Sequence, residues 1–430
     1  MSVSAYRFLI PIGLLFALAP WASDGLCEQA AAETQKEISA LERERASQYA
    51  FVVQLLVQKK DYEKAAELIR RALVIPPSQE QDAEKLRTLL ADVAAGFLRE
   101  EKSPGKASEL CEEALKTLAE EPILLYISSF AFEELGEQAK AGEFRQRAKE
   151  IRSDDQAYWF SVASYLSRKL GLKAGLEAYE KVAAISLEKP THLNADSEAA
   201  MAHIHCALGN YDEALRHCEK LREIARKIVV SRTDIAMLTA RVYAERAREK
   251  EVQEKYEEAI EDYKKSAEFS PQPGSAYNAV GEIYVNLKKY DEAEKWYRQG
   301  LAAGAAALAY GGLGDVQKAL GNPDQAEEHY TKAENTFAEE IEKNPTDPMN
   351  YNNFAWYYAT HNRQLDRGIE LAKKALELAP KAPPYLDTLA ELYYRKGDRE
   401  AAIREIENAI ALDPPHLKYY EKQLQRFQSK

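Results

Sequence analysis

Five side chains that could bind a metal lie between residues 203 and 218: His203, His205, Cys206, His217 and Cys218. Imidazole and thiolate groups are common zinc ligands, and helical i,i+3 spacing would place His203 beside Cys206. A metal- or redox-active site in this region is therefore one reading, and a Cys206–Cys218 disulfide is a second. The third reading is core packing, which the sequence favours because His205 and Cys218 fall on apolar stripes of predicted helices.

Motifs that carry catalytic chemistry are absent from the sequence. It contains no GxxxxGK[ST] phosphate-binding loop, no GxSxG nucleophile elbow and no HExxH zinc-protease helix. The four cysteines, at positions 27, 111, 206 and 218, form no CxxC pair. We therefore expect a protein that is not an enzyme, with no catalytic residues, no metal site and no cofactor.

A helical hairpin repeats along the chain and is clearest between Tyr385 and Pro414. In its first half Leu389 and Tyr393 fall at helical spacing on one apolar stripe. Gly397 then ends the first helix, and Ala402 begins the buried stripe of a second helix that faces the first. Nine copies, which match this pattern more or less closely, precede it. The clearest are Tyr277–Gly300, Tyr310–Ala333 and Tyr351–Pro380, and the first is Tyr49–Pro77.

This pattern resembles the tetratricopeptide repeat, which has about 34 residues per unit and small residues where its two helices touch. The small positions here are Ala390, Ala402 and Ala409, and they allow close helix contact. The resemblance implies an all-α α-solenoid, a right-handed superhelix of about ten antiparallel helix pairs over residues 46–414. Residues 33–45 are predicted to form a polar helical lead-in, and 415–430 a capping helix.

One unit departs from the period of the others. Its small residues, Ala240 and Ala259, are 19 positions apart, whereas Ala390 and Ala402 are 12 apart. Seven extra residues correspond to about two helical turns. Because residues 246–256 contain no glycine or proline, we predict that both helices of this hairpin are longer than in the other units.

The resemblance also implies a concave groove, lined by the first helix of each pair, that binds protein or peptide segments. The residues predicted by register to line it are Arg168, His203, Arg241, Asn278, Glu282, Asn352, Trp356, Glu391 and Arg395. Asparagine suits this role because its amide both donates to and accepts from a peptide backbone. Some members of the family hold a C-terminal carboxylate with a set of Lys, Asn and Arg residues, and that full set is not found here.

The N-terminal residues 1–32 read as a signal peptide with its cleavage region. Residues 8–19 are an apolar run of 12, too short for a membrane span of about 20 and broken by Pro20. Cleavage after residues 23–25 or after 30–32 fits the small side chains there. We therefore expect an exported protein, periplasmic or extracellular. The alternative is an uncleaved segment 8–19 that anchors an assembly or secretion factor in the membrane, facing the periplasm.

The amount and distribution of charge argue against a nucleic-acid partner. The formal net charge is −12, and Lys and Arg are mixed with Asp and Glu along nearly every helix. A nucleic-acid-binding protein would concentrate basic residues on one face. The function predicted from sequence is a non-catalytic scaffold of the cell envelope that binds a protein or peptide partner in its groove.

Overall fold

The computed structural model describes residues 49–73, 80–118, 121–151, 154–186, 188–412 and 417–429. Every regular element in these ranges is helical, and no strand occurs in them, as the sequence predicts. None of their helices combines the length and apolarity needed to span a bilayer. The predicted signal peptide, the lead-in at 33–45 and the apolar run at 8–19 lie outside the described residues.

The first of two compact units consists of the described residues up to 155 together with 161–175. Its helices are α1 (49–58), α2 (Tyr62–Leu73), α3 (Glu80–Arg99), α4 (Pro104–Leu115), α5 (Pro122–Glu134) and α6 (Gln138–Glu150). Helix α7 (Gln156–Leu170) is divided between the units, and a 3₁₀ turn (Leu172–Gly175) follows it. In this unit each helix packs on the next one along the chain from α2 to α6, and α3 also packs on α5.

The second compact unit consists of residues 156–160 and the described residues from 176 onwards. Its helices are α8 (Leu176–Ala184), α9 (His192–Ala207), α10 (Tyr211–Ile224), α11 (Arg232–Val252), α12 (Tyr256–Phe269), α13 (Gly274–Asn286), α14 (Tyr290–Ala302), α15 (Ala306–Ala319), α16 (Pro323–Lys343), α17 (Pro348–Thr360), α18 (Leu365–Leu378), α19 (Pro383–Lys396), α20 (Arg399–Ala411) and α21 (Leu417–Gln428). Each packs on the next, and the first helices also touch one another, α9 on α11, α13 on α15 and α17 on α19. Contacts limited to near neighbours define an α-solenoid.

Small residues face aromatic rings where the helices of a pair meet. A Cβ atom placed on Gly281 of α13 would lie 2.9 Å from the Tyr297 ring of α14, and one on Gly314 of α15 would lie 2.4 Å from the Tyr330 ring of α16. Between pairs, a Cβ atom on Gly312 would lie 2.1 Å from the Tyr297 ring. These distances leave no room for a side chain. The predicted pairing of small and bulky positions is confirmed.

Helix α11 corrects the prediction for the irregular unit. It has 21 residues, but its partner α12 has the ordinary 14, so only one of the two helices is longer. The buried small residue at the helix contact is Ala247 rather than Ala240, and it packs in one cluster with Ala259 and Tyr263. Ala247 and Ala259 have the ordinary spacing of 12. The two extra turns lie at the N-terminal end of α11, where Ile235 and Leu238 pack against α9 and α10.

The last helix, α21, packs on the final helix pair. Tyr420 and Phe427 are buried in a cluster with Leu386 and Ala390 of α19 and Ile406 of α20. Their burial removes from water the apolar face that the last pair would otherwise leave exposed.

Candidate functional site

The first helices of the pairs in the second unit present one shared surface, which we call the concave surface. Arg248 on α11 belongs to this surface. Burial acts to lower the pKa of Arg248, but Glu245 beside it, Tyr263 on α12 and Tyr419 on α21 raise that pKa. Tyr419 therefore lies close enough to act on Arg248, although some 170 residues separate the two in sequence.

The predicted groove residues divide into three groups by exposure. Arg168, in the first unit, is exposed, and so are His203, Arg241, Glu282, Trp356 and Arg395 of the second unit. Asn352 is half-buried, and Asn278 and Glu391 are buried. Burial, and then the charge of Arg241, lower the pKa of His203, which disfavours the protonated imidazole.

Asn278 was predicted to line the open groove, but it is only 6% exposed, so that prediction is wrong. Its side-chain nitrogen donates to the carbonyl oxygen of Ala305 at 3.2 Å, in the turn before α15. A Cβ atom on Gly300 would lie 1.9 Å from its side-chain oxygen, so the glycine makes room for this asparagine. Asn278 therefore joins successive helix pairs and does not face a ligand in this structure.

Glu391 is 4% exposed and corrects the prediction in the same way. It accepts hydrogen bonds from Arg395 of α19, at 2.7 Å, and from Arg426 of α21. One turn earlier, Asp387 accepts a 2.9 Å hydrogen bond from the Tyr419 hydroxyl, and burial raises the pKa of Asp387 to about 6. Helix α21 thus covers these carboxylates at the C-terminal end of the concave surface.

Glu282 lies on the concave surface near other carboxylates and near Arg248, whose charge acts to lower its pKa. Its side chain is exposed to water, yet surrounding protein, followed by the charges of Glu251 and Asp315, raises its pKa to about 7. A side chain inside a concavity can be both exposed to water and raised in pKa, because water reaches it but surrounding protein limits its solvation. Asp315 accepts a 2.6 Å hydrogen bond from the Tyr330 hydroxyl. Within the described residues, Glu282 has no hydrogen bond or ion pair of its own.

Apolar contact area is available on α17, another first helix of the second unit. Trp356 is 37% exposed, and Met349, seven residues earlier on the same helix face, is also exposed. Asn352 lies between them in register, and its side-chain oxygen is buried with no hydrogen-bond partner among the described residues. Helix α17 therefore contributes an aromatic ring, a flexible thioether and an amide to the surface.

Arg248 and Asp315 belong to this surface, and sequence reasoning missed both. The residue that follows the small residue of each first helix faces the concave surface, as His203, Glu282 and Trp356 do. Arg248 follows Ala247 and Asp315 follows Gly314. The first was missed because Ala240 was taken as the small residue, which selected Arg241 instead.

The histidines and cysteines of α9 and α10 do not form a metal centre. Cys206 and Cys218 are buried and free, so the disulfide alternative is wrong. His217 pairs through Nδ1 with buried Glu198 at 2.6 Å, and its ring stacks on His205. No group of three or more His, Cys, Asp or Glu in the described ranges is arranged to hold a metal ion. Burial raises the pKa of the Cys206 thiol to about 11, which disfavours the reactive thiolate.

Sequence models of the tetratricopeptide repeat match four stretches of the chain. The stretches are residues 199–232, 240–273, 272–339 and 383–416. The second contains the Ala247–Ala259 hairpin in its ordinary 34-residue frame. The chain is a tetratricopeptide-repeat protein. Repeats of this family are protein-interaction modules, and the matches support a protein-interaction scaffold.

Curated relatives share the repeats over part of their length. Hsp70-Hsp90 organizing protein 2 of Arabidopsis thaliana is 27% identical over 209 residues, covering 49% of this tetratricopeptide-repeat chain and 33% of that protein. Human protein O-mannosyl-transferase TMTC2 is 37% identical over 98 residues, covering 21% of this chain and 10% of that protein. The chain thus spans a third or less of the length of either relative.

Solved structures of repeat proteins are also similar. Yeast Tom70 is 14% identical, with 90% of this chain and 96% of that one covered and a TM-score of 0.33. YrrB, described as a tetratricopeptide-repeat protein with an unusual peptide-binding site, is 25% identical, with coverages of 43% and 92% and a TM-score of 0.22. At these scores the likeness adds nothing about the site of this repeat protein.

Proposed function

We propose that the chain is a non-catalytic scaffold whose concave surface binds extended protein segments carrying a basic and an apolar side chain. The observation that carries the proposal is Glu282, a carboxylate of the concave surface with no hydrogen bond or ion pair of its own among the described residues, together with Trp356, which is exposed on another first helix of the same unit. A lysine or arginine of a bound segment would supply the missing counter-charge. Aromatic side chains such as Trp356 are typical binding hot spots.

We do not propose Hsp70 or Hsp90, which appear in the names of the organizing proteins, as partners of this chain. A C-terminal carboxylate would meet the charges of Glu251, Glu282 and Asp315, which repel it. The Lys, Asn and Arg set that the family uses for such tails is incomplete here. We therefore place basic segments ahead of acidic tails as ligands of the concave surface.

Peptide selection tests this proposal directly. A random peptide library displayed on phage and selected on the full chain should yield peptides enriched in Lys or Arg near an apolar residue. Glu282→Lys and Trp356→Ala should each weaken a selected peptide by about tenfold or more, because hot-spot truncations cost over 1 kcal/mol. Affinity should rise from pH 6 to pH 8, since deprotonation of Glu282, whose pKa is about 7, creates the charge that the peptide binds.

The matched control for that test is Glu339→Lys, on the second helix α16, where the exposed glutamate pairs only with Lys343. It makes the same charge change away from the concave surface and should leave the affinity unchanged. Peptides that bind all three variants and the parent chain equally would contradict the assignment of the concave surface.

Export from the cytoplasm belongs to the same proposal. It is supported by the apolar run at 8–19, its single preceding basic residue Arg7 and the small residues that follow. Intact mass of the protein purified from its source cell should show the loss of residues up to 25 or up to 32. A mass that retains residue 8 would contradict cleavage and favour the membrane-anchored alternative.

A further inference from the structure

A pocket of about 350 Å³ lies away from the concave surface, where the end of α10, the start of α11 and the end of α12 meet. Its walls include Arg222, Arg226, Arg232, Ile235, Ala236 and Phe269. Three of these residues, Arg232, Ile235 and Ala236, belong to the two extra N-terminal turns of α11. This part of the pocket wall therefore depends on the extension of α11 beyond the length that the repeat requires.

The floor of the pocket is apolar and held in place by stacked groups. Ile235 is buried in the cluster of α9 and α10, so it cannot turn outward. The Phe269 ring stacks parallel to the Tyr243 ring, with 5.8 Å between the ring centres. The Arg222 guanidinium lies 5.0 Å from the centre of the same Phe269 ring. Such contacts fix the ring and preform a seat for one apolar side chain.

The rim of the pocket is positively charged. Arg226 and Arg232 are exposed, and neither has an ion-pair partner among the described residues. No carboxylate lines the pocket. The first turn of α11, which Ser231 caps, adds the partial positive charge of a helix N-terminus, and the Asp234 carboxylate in the same turn offsets part of it. In a chain of net charge −12, this local excess of positive charge is an exception that favours an acidic ligand.

We propose that this pocket is a second docking site, which binds an acidic peptide segment of a partner through one apolar side chain and its flanking carboxylates. The apolar side chain contacts Ile235 and Phe269, and the carboxylates pair with Arg226 and Arg232. Val229, in the segment between α10 and α11, is 90% exposed and provides further apolar area for the same partner. Two unpaired arginines are too few to follow a nucleic-acid backbone, which requires many phosphate contacts.

Because α10 and α12 are second helices, this site is separate from the concave surface, and the chain can hold a basic and an acidic segment at once. The two ligand classes have opposite charge, so each surface selects against the ligand of the other. The inference does not depend on the proposed function of the concave surface.

Fluorescence anisotropy with a labelled peptide tests the site. The probe is fluorescein-Asp-Glu-Leu-Phe-Glu-Asp, titrated with the full chain, and the uncharged amide peptide fluorescein-Asn-Gln-Leu-Phe-Gln-Asn is the comparison. The acidic probe should bind with saturation at least tenfold more tightly than the amide peptide. Arg226→Glu combined with Arg232→Glu should weaken it by about tenfold or more.

Two further variants separate charge from apolar contact. Arg298→Glu combined with Arg404→Glu makes the same charge change on α14 and α20 and should alter the affinity less than about twofold, since distant exposed charges are screened. Ala236→Trp fills the pocket at constant charge and should also weaken binding tenfold, with an unchanged circular dichroism spectrum confirming the fold.

The proposal is overturned if the acidic probe shows no saturable binding below about 1 mM. It is also overturned if both double variants lose affinity equally, which would mean attraction by net charge alone. Binding to anionic lipid vesicles that the Arg226→Glu, Arg232→Glu variant loses, with no binding to the peptide, would assign the surface to membranes instead.

Discussion

Replacing Phe354 with alanine should lower the free energy of local unfolding around α17 by about 3–5 kcal/mol. The Phe354 ring is almost fully buried and stacks on the rings of Phe337 at 5.1 Å and Tyr358 at 4.6 Å. These rings come from two successive helix pairs, α15–α16 and α17–α18. The truncation therefore removes contacts within one pair and between neighbouring pairs, and leaves a cavity that rigid helices cannot close.

Hydrogen exchange measured along the native chain is the appropriate readout, because a repeat array need not unfold in one step. Protection should fall most in α16, α17 and α18, and much less in α9 and α10. Met349→Ala, on the same helix but exposed, should change protection by less than about 0.5 kcal/mol. An equal loss of protection throughout the second unit would contradict the expectation that each helix pair is stabilised mainly by its contacts with adjacent pairs.

Much of the fold could be predicted from sequence because its determinants are local. Gly314 and Tyr330 lie 16 residues apart, within one hairpin, and each such hairpin repeats the same pairing of small and bulky side chains. Because both residues of such a contact lie in one short segment, the sequence of that segment is enough to predict the contact. The fold class and the positions of the helix pairs follow from these local contacts.

The register of α11 could not be read in this way. Ala240 and Ala247 are seven residues, two helical turns, apart and therefore lie on the same helix face. Both belong to a continuous helix, and the turn that follows adopts its left-handed conformation at Glu254 rather than at a glycine. The sequence thus lacked, at this turn, the glycine that marks the end of the first helix in some other units, such as Gly397 after α19. The missing signal led to Arg241 being chosen where Arg248 was equivalent.

Two predicted groove residues proved to be buried for reasons that lie outside their own repeat. Asn278 is covered by the turn that leads into the next pair, and Glu391 by α21, which is not part of a repeat. Register predicts the direction in which a side chain leaves its helix, but not whether a later segment covers it. Site residues near the ends of an array, or beside irregular turns, are therefore the hardest to predict from sequence.

Replacing Asp262 with asparagine should lower the free energy of local unfolding around α11 and α12 at pH 7 by about 2–3 kcal/mol. The Asp262 side chain is 3% exposed and accepts two hydrogen bonds from Arg246, at 2.7 and 2.9 Å. Lys250 approaches the same carboxylate at 2.9 Å. The two cations of α11 are partly exposed, so we expect less than the full penalty for an unpaired buried charge.

Asp212→Asn is the matched control, because Asp212 also binds Arg246, at 2.6 Å, but its side chain is 92% exposed. Its loss should cost less than about 1 kcal/mol, as for other exposed ion pairs. Equal effects of the two substitutions would show that burial does not determine the strength of the interaction. Hydrogen exchange of the amides of α11 and α12 at pH 7 measures both effects.

The difference between the parent chain and Asp262→Asn should also shrink in acid. Burial alone would raise the pKa of Asp262, but the hydrogen bonds and charges of Arg246 and Lys250 outweigh it and hold that pKa below its usual value of 3.8. A carboxyl whose folded pKa is lowered stabilises the fold above its unfolded pKa, and the stabilisation disappears as pH falls through the folded value. Local stabilities measured by hydrogen exchange in α11 and α12 from pH 7 down to pH 3 should therefore begin to converge once the pH falls below the usual aspartate pKa. A gap that stayed constant over this range would mean that the stabilisation comes from the shape of the side chain and not from its charge.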